Sequence, residues 1–131
     1  MLKSSALLAL GAVALAGCGG GPAYVNAQAS TLHLTLDEYR IQPQAIRARS
    51  GRVHIVARNV GRLTHNLVVQ EFKHVSGEEP KVYARTDTAH PGETVSERND
   101  LVLRPGKYRL VCTIANHDDL GQFGELKVTG G

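Results

Sequence analysis

The stretch that decides the fold is residues 105–128, PGKYRLVCTIANHDDLGQFGELKV, in which two short apolar strands flank a polar turn. In the first strand Tyr108 and Cys112 are separated by an even number of positions. We therefore expect both side chains to point inward from one face of a sheet. The turn then carries His117, and Gln122 lies between two glycines just before the second strand. This spacing indicates one tight loop that presents a thiol, an imidazole and an amide together.

Patterns of period two predict further short strands on the N-terminal side of this stretch. Turn signals separate them, such as Ser50-Gly51 and Pro105-Gly106. The polar segment 73–91 is predicted as a loop with at most one irregular turn or helix. The predicted strands are 32–36, 45–49, 53–57, 67–69, 101–103, 108–112 and 125–128. Seven short strands divided by turns predict an all-β fold, an antiparallel sandwich or barrel.

Length and composition indicate a single globular domain. The chain has 131 residues, 42% of them hydrophobic and 21% charged, which is enough to bury one core and argues against disorder. The formal net charge is +3, and six arginines fall between Arg40 and Arg62. Such a cluster first suggests nucleic-acid binding. The N-terminus argues against that class of function.

The N-terminus has the features of an export signal. Lys3 precedes an apolar run, residues 6–16, which is too short to span a bilayer and fits the central region of a signal peptide. The run ends in Leu15-Ala16-Gly17-Cys18, which resembles the signal of bacterial lipoproteins, where cleavage precedes a cysteine that carries lipid. The other reading is an ordinary secretory signal with an incidental cysteine. The lipoprotein resemblance implies lipidation of Cys18.

We therefore expect three segments: a signal peptide at 1–17, the lipidated Cys18 and a flexible tether at 18–27, and a folded domain at 28–131. The protein is then expected in the cell envelope, anchored to a membrane on its periplasmic or extracytoplasmic face. Nucleic acid is not an expected partner there.

The cysteine count makes Cys112 a candidate metal ligand. If Cys18 carries lipid, Cys112 is the single remaining thiol in an oxidising compartment, so it is buried and inert, reactive, or bound to a metal. His65 lies just before the predicted strand 67–69. Two imidazoles and one thiolate, here His65, His117 and Cys112, are the in-plane donors of a trigonal copper site that a weak axial ligand completes.

At these residues the chain resembles the cupredoxins, the blue copper proteins, over about residues 30–129. The Cys-x4-His-x4-ligand spacing is similar to that of auracyanin-like and plastocyanin-like members. His65-Asn66 resembles the first copper histidine and the asparagine that helps fix the copper loop by hydrogen bonding, and Tyr108 matches the tyrosine-corner position. The residues of the C-terminal signature are Pro105 to Cys112, His117, Gly121, Gly124 and Val128. The resemblance implies a Greek-key β-sandwich or barrel of the cupredoxin type with one type 1 copper.

One position departs from the usual family pattern. Gln122 stands where most members have the axial methionine, and the chain's single methionine is Met1. The stellacyanins use an axial glutamine, so the resemblance implies His65, Cys112, His117 and Gln122 as the metal ligands. A hard amide oxygen favours Cu(II), which implies a low reduction potential. If Gln122 turned away, the site would be three-coordinate or degraded.

The resemblance implies a monomeric electron carrier rather than an enzyme. Its expected partners are redox proteins such as cytochromes or membrane respiratory complexes, and the membrane through the lipid anchor. A copper-binding protein for delivery or storage is the alternative, and a metal-free binding sandwich is a third reading. A multicopper enzyme would need further sites, yet the chain has no His-x-His pair, and Asn116 stands where a binuclear centre needs a second cysteine.

The remaining charged and histidine residues are expected on the surface. The arginine cluster is read as a solvated face that could also steer an acidic redox partner or contact anionic lipid headgroups. The other histidines are expected to be exposed strand residues (His33, His54) or loop residues (His74, His90). A second metal site at these histidines is the less favoured reading.

Overall fold

The computed structural model describes residues 19–130, which form eleven β-strands. The predicted signal peptide and Cys18 lie outside these residues. The strands are β1 Val25–Asn26, β2 Thr31–Asp37, β3 Arg40–Gln42, β4 Ala45–Arg49, β5 Gly51–Asn59, β6 Val68–Glu71, β7 Val82–Arg85, β8 Thr94–Val95, β9 Leu101–Leu103, β10 Gly106–Val111 and β11 Phe123–Thr129. No helix in this part of the chain is long and apolar enough to cross a membrane.

The strands form two packed sheets, which confirms the predicted all-β sandwich. One sheet has the order β1-β4-β11-β10-β6-β7, and the other has the order β3-β2-β5-β8, with β9 also paired to β5. Alternate side chains of both sheets fill one shared core, with Leu32, Ile55, Leu110 and Leu126 among its fully buried members. The period-two pattern of the sequence therefore marks the inward faces correctly.

The sequence patterns predict an antiparallel sandwich, but both sheets also contain parallel strand pairs. β2 pairs with β5, β4 with β11, and β1 with β4 in parallel. The physical reason lies at the predicted Ser50-Gly51 turn. Only Ser50 separates β4 from β5, and these strands belong to different sheets, so the chain turns a corner between the sheets there instead of forming a hairpin. Gly51 has a φ of 114°, which a residue with a side chain rarely adopts.

Two strands lie in segments that were expected to be irregular. β7 falls inside the predicted loop 73–91 and pairs with β6 at the sheet edge, with a register shift at Val69/Gln70. An edge strand with one buried residue out of four carries little period-two signal. β1 falls inside the segment 18–27 that was read as tether, and its two residues pair with Ile46 and Arg47.

The tyrosine corner fixes the loop that leads into β10. Tyr108 is buried, and its hydroxyl donates a hydrogen bond of 2.7 Å to the carbonyl oxygen of Arg104. Its ring packs edge-on against Tyr83, with the ring centroids 5.0 Å apart. The corner holds β10 in the middle of its sheet, between β11 and β6. The ends of these three adjacent strands define the site described next.

Candidate metal centre

The topology brings three of the sequence-predicted residues together. His65 precedes β6, Cys112 follows β10, and His117 lies in the loop between β10 and β11. One candidate ligand atom from each of the three lies within 4.8 Å of the others. The Cys112 Sγ and the His117 Nδ1 are 3.6 Å apart. His65 and Cys112 are fully buried, and His117 is 8% exposed, so the cluster is almost closed to water.

Backbone hydrogen bonds hold the loop around the cluster. The Cys112 amide donates to the Gln122 carbonyl at 3.1 Å, and the Gln122 amide donates to the His117 carbonyl at 3.0 Å. Across the sheet, the Thr113 amide donates to Asn66 Oδ1 at 2.8 Å, and Asn66 Nδ2 donates to the Thr113 hydroxyl at 3.0 Å. This bracing confirms the expectation that Asn66 fixes the loop by hydrogen bonding.

Gln122 presents a buried acceptor that no group among residues 19–130 satisfies. Its Nε2 donates to the carbonyl oxygens of Asp37 at 2.9 Å and Arg40 at 3.3 Å, which fixes the amide. Its Oε1 and the Nδ1 of His65 are the buried side-chain polar atoms without a hydrogen-bond partner among residues 19–130. A buried acceptor left unpaired costs about 1–3 kcal/mol. A bound cation that accepts lone pairs from both atoms removes this cost.

The donor set fits copper. Two imidazoles, a cysteine sulfur and one weak oxygen donor are the ligand types of a trigonal copper site with a distant axial ligand. Burial raises the pKa of the Cys112 thiol. Burial, with His65 close by, lowers the pKa of His117. Both shifts favour the uncharged forms, and a metal that binds the thiolate displaces the thiol proton.

Glu38 contacts the cluster, and the sequence patterns did not predict it. Its Oε1 accepts a hydrogen bond of 2.8 Å from His65 Nε2. The carboxylate also accepts the backbone amides of Arg62 at 2.9 Å and Leu63 at 2.8 Å. These amides, followed by His65, lower the pKa of Glu38 to about 2. Because the carboxylate accepts from Nε2, the His65 proton resides there and the Nδ1 lone pair is free for a ligand.

The sequence holds only a faint signal for this contact. Glu38 and His65 are 27 positions apart, and Glu38 follows the last residue of β2 without any motif around it. The signal that could have pointed to it is Gly61, since a Cβ at this position would collide with Glu38 Oε1. This glycine, four residues before His65, thus marks a place where another side chain comes close.

The structure divides the arginine cluster of the sequence between two surfaces. Arg47 and Arg49 lie on β4 in the six-stranded sheet, whereas Arg52 and Arg58 lie on β5 in the other sheet. Arg52 forms an exposed ion pair with Asp100. The cluster is therefore not one patch.

The four remaining histidines are exposed as predicted, and they stay apart from the buried cluster. They are His33, His54, His74 and His90. Within residues 19–130, the group formed by His65, Cys112 and His117 is the one set of three or more potential ligands of the His, Cys, Asp or Glu type in which the ligand atoms come together.

Comparison with known proteins identifies the fold. No protein-family model and no curated protein sequence matches the chain. Among solved structures, the chain is similar to dithionite-reduced auracyanin from Roseiflexus castenholzii, with a TM-score of 0.66 and 16% identity over 79% of this chain and 99% of that one. It is similar to auracyanin A, described as a blue copper protein, from Chloroflexus aurantiacus, with a TM-score of 0.63 and 17% identity over 82% and 100% of the two chains.

A third similar structure is reduced rusticyanin, with a TM-score of 0.58 and 16% identity over 81% of this chain and 84% of that one. At such low identity the likeness concerns the fold. The chain is an all-β, two-sheet sandwich of the cupredoxin type, and it carries a buried His65, Cys112 and His117 cluster with Gln122 beside it.

Proposed function

We propose that this protein is a type 1 copper protein that carries single electrons in the cell envelope. The observation that carries the proposal is the closed cluster of two imidazoles and a thiol, together with the unsatisfied acceptors His65 Nδ1 and Gln122 Oε1. The structural likeness to auracyanins and rusticyanin supports it. Copper, the cofactor expected from the donor set, would supply reversible cycling between Cu(II) and Cu(I).

The chain's own residues would hold the metal. His65, Cys112 and His117 would supply two imidazole nitrogens and a thiolate, and Gln122 an amide oxygen. Two of them are fixed by bonds that leave the metal-facing atom free: Glu38 holds His65, and the carbonyls of Asp37 and Arg40 hold Gln122. A pre-organised donor set changes little between oxidation states, so the energy needed to reorganise it stays small.

His117 would be the exit point for the electron. It is the one member of the cluster with measurable exposure. Leu120, at 51% exposure, provides apolar surface on the same loop. A small apolar patch around a ligand edge suits brief docking of a redox protein such as a cytochrome or a membrane respiratory complex.

The carrier would be held at a membrane by lipid on Cys18. The lipoprotein-like sequence at 15–18 supports this part of the proposal, and the exposed Gly19-Gly20-Gly21 that follows suits a tether. Tethering raises the local concentration of the domain near membrane-bound partners. Mass spectrometry of the full chain tests the anchor: a diacylglycerol-sized adduct that Cys18→Ser abolishes is expected, and an unmodified Cys18 in the exported protein would refute it.

The copper proposal is tested by the absorption spectrum of the domain loaded with Cu(II). We expect a strong visible band from thiolate-to-copper charge transfer that Cys112→Ser abolishes. His33→Gln is the matched control, since it removes an exposed histidine on β2 and should leave the band unchanged. A colourless complex, or copper that a weak chelator strips at once, would favour delivery or storage over electron transfer.

A further inference from the structure

A cationic surface covers the outward side of three adjacent strands of the six-stranded sheet. Ile46, Leu126 and Leu110 on β4, β11 and β10 point into the core, so the alternate side chains of these strands point outward. These outward residues, which we call the basic face, are Arg47, Arg49, Lys107, Arg109 and Lys127, with Glu125 as the acidic member.

The charge of the described chain is unevenly distributed. The basic face holds five cations and one carboxylate, whereas the rest of residues 19–130 holds nine cations and eleven carboxylates. The surplus of positive charge therefore sits on this face, and the remainder of the domain is slightly acidic. On the basic face Lys107 pairs with Glu125, and on the opposite sheet Arg52 pairs with Asp100 while His54 contacts Glu97.

Aromatic rings lie among these cations. The Arg47 guanidinium and the Lys127 ammonium lie 5.2 and 5.7 Å from the ring centre of Tyr24. Lys107 lies 5.3 Å from the ring of Phe72. Arg109 lies 5.1 Å from the ring of Phe123. Phe72 and Phe123 are 36% and 41% exposed. Cations combined with exposed aromatic rings match the composition of surfaces that sit at the headgroup level of a bilayer.

The N-terminal segment leaves the domain at the same face. Pro22 lines a groove with Phe72, Phe123 and Arg109, and Tyr24 lies under two of the cations. Gly19 is three residues before Pro22, so a group attached just ahead of it stays within roughly 15 Å of the groove even when the chain is fully extended.

We propose that the basic face rests on the surface of a bilayer that contains anionic lipids. Charge complementarity with the headgroups provides the attraction, and each Arg or Lys at the surface contributes to it. The tether favours a bilayer over an acidic protein as the occupant, because it emerges at this face and not at another. None of the face residues is a proposed copper ligand, so the inference stands or falls independently of the copper site.

Vesicle binding of the metal-free chain 19–131 tests the proposal. Every strand that the structure describes lies within residues 25–129, so this chain contains all of the described fold without the apolar N-terminal run. We expect it to bind vesicles of equal phosphatidylglycerol and phosphatidylcholine at low salt, and not vesicles of phosphatidylcholine alone. The triple variant Arg47→Gln, Arg109→Gln, Lys127→Gln should bind the anionic vesicles on the order of 100-fold more weakly.

The matched control removes three charges from the opposite sheet. Arg40→Gln, Arg52→Gln, Arg58→Gln lowers the net charge equally and should weaken binding by no more than about fivefold, the effect of a single surface cation. Equal losses in the two triple variants would overturn the proposal, as would no binding to anionic vesicles at low salt. The proposal would also be overturned, in favour of an acidic protein, by one further result for the triple variant of the basic face. That result is vesicle binding as tight as that of the unaltered chain together with lost retention on a polyglutamate column.

The orientation can be read directly because the chain contains no tryptophan. Phe72→Trp places a single indole on the basic face, and Val102→Trp places one on β9, where Val102 is 63% exposed. Brominated phosphatidylcholine mixed into the anionic vesicles should quench the Phe72→Trp variant strongly and the Val102→Trp variant weakly. Equal quenching in both variants would contradict docking through this face.

Discussion

The Glu38 carboxylate determines which nitrogen of His65 faces the cluster. It accepts the Nε2 proton at 2.8 Å while two backbone amides hold it in place. Removing such a partner from a ligating histidine typically lowers metal affinity 10- to 100-fold. We therefore expect Glu38→Gln to weaken copper binding by a factor in this range, measured by competition with a chelator of known affinity.

Glu97 provides the matched control for this prediction. Its carboxylate also contacts a histidine, His54, and accepts a backbone amide, that of Ile55, but it lies away from the cluster. Glu97→Gln should leave copper affinity unchanged. Gly61→Ala should reproduce the loss, because its Cβ would displace the Glu38 carboxylate. Full affinity in Glu38→Gln would show that the loop alone orients His65.

The Gln122 side chain is expected to set the reduction potential. Replacing its amide oxygen with a thioether favours Cu(I). Each tenfold change in the relative affinity for Cu(I) and Cu(II) changes the reduction potential by about 59 mV. Gln122→Met should therefore raise the potential by at least about 60 mV in protein-film voltammetry. Gln70→Met, at a buried glutamine outside the cluster, should not change it. An unchanged or lower potential in Gln122→Met would refute axial ligation.

At the scale of single elements, the sequence predicts a strand well when one of its faces is buried and the other is more exposed. β2, β5 and β11 alternate between buried and less buried residues along their length, and each was predicted within a few residues. The edge strand β7 and the two-residue β1 lack this contrast. Pairing direction was not predictable, because it depends on whether the turn at Ser50 joins strands of one sheet or of two.

The site likewise contains residues that the sequence patterns predict and one residue that they do not. The proximity of Cys112, His117 and Gln122 was predictable because all three lie in one short loop. His65 is distant in sequence, and it was singled out by the resemblance to the cupredoxins and not by local spacing. Glu38 was not predictable, since its contact with His65 arises from the packing of the segment after β2 against the turn at 61–63. Contacts of this kind depend on how distant segments pack in the folded protein, and they produce no periodic pattern in the sequence.

The tyrosine corner is an element whose contribution can be measured. Tyr108→Phe removes the 2.7 Å hydrogen bond to the Arg104 carbonyl but keeps the ring. A buried hydrogen bond contributes about 0.5–1.5 kcal/mol, and the carbonyl loses its partner as well. We expect the free energy of unfolding to fall by about 1 kcal/mol at pH 7, as measured by urea denaturation.

The difference in the free energy of unfolding between the wild-type protein and Tyr108→Phe should depend on pH, which provides a check. Burial raises the pKa of Tyr108 above its usual value of 10. Above pH 10 the unfolded tyrosine therefore loses its proton before the folded one does, and the wild-type protein loses stability that the Phe variant keeps. The difference between the two proteins should shrink as the pH rises beyond 10. A constant difference would mean that Tyr108 titrates normally in the folded protein.

At the scale of the whole molecule, the proposed ligands join segments that are distant in sequence. His65 precedes β6, while Cys112, His117 and Gln122 lie between β10 and β11. A bound metal would therefore link the start of β6 to the loop between β10 and β11 in the six-stranded sheet. A ligand that binds only the folded state stabilises it by about 2.7 kcal/mol at a free concentration 100 times its Kd. Copper should therefore raise the melting temperature of the domain markedly.

The same measurement distinguishes the buried cluster from surface binding. Cys112→Ser should remove most of the copper-induced increase in melting temperature, because a closed site that loses its thiolate loses its strongest donor. A variant in which His33, His54, His74 and His90 are all glutamine should keep the whole increase, since these exposed side chains do not belong to the cluster. The opposite result, with stabilisation lost in the histidine variant and kept in Cys112→Ser, would place the copper on the surface and reject the proposed centre.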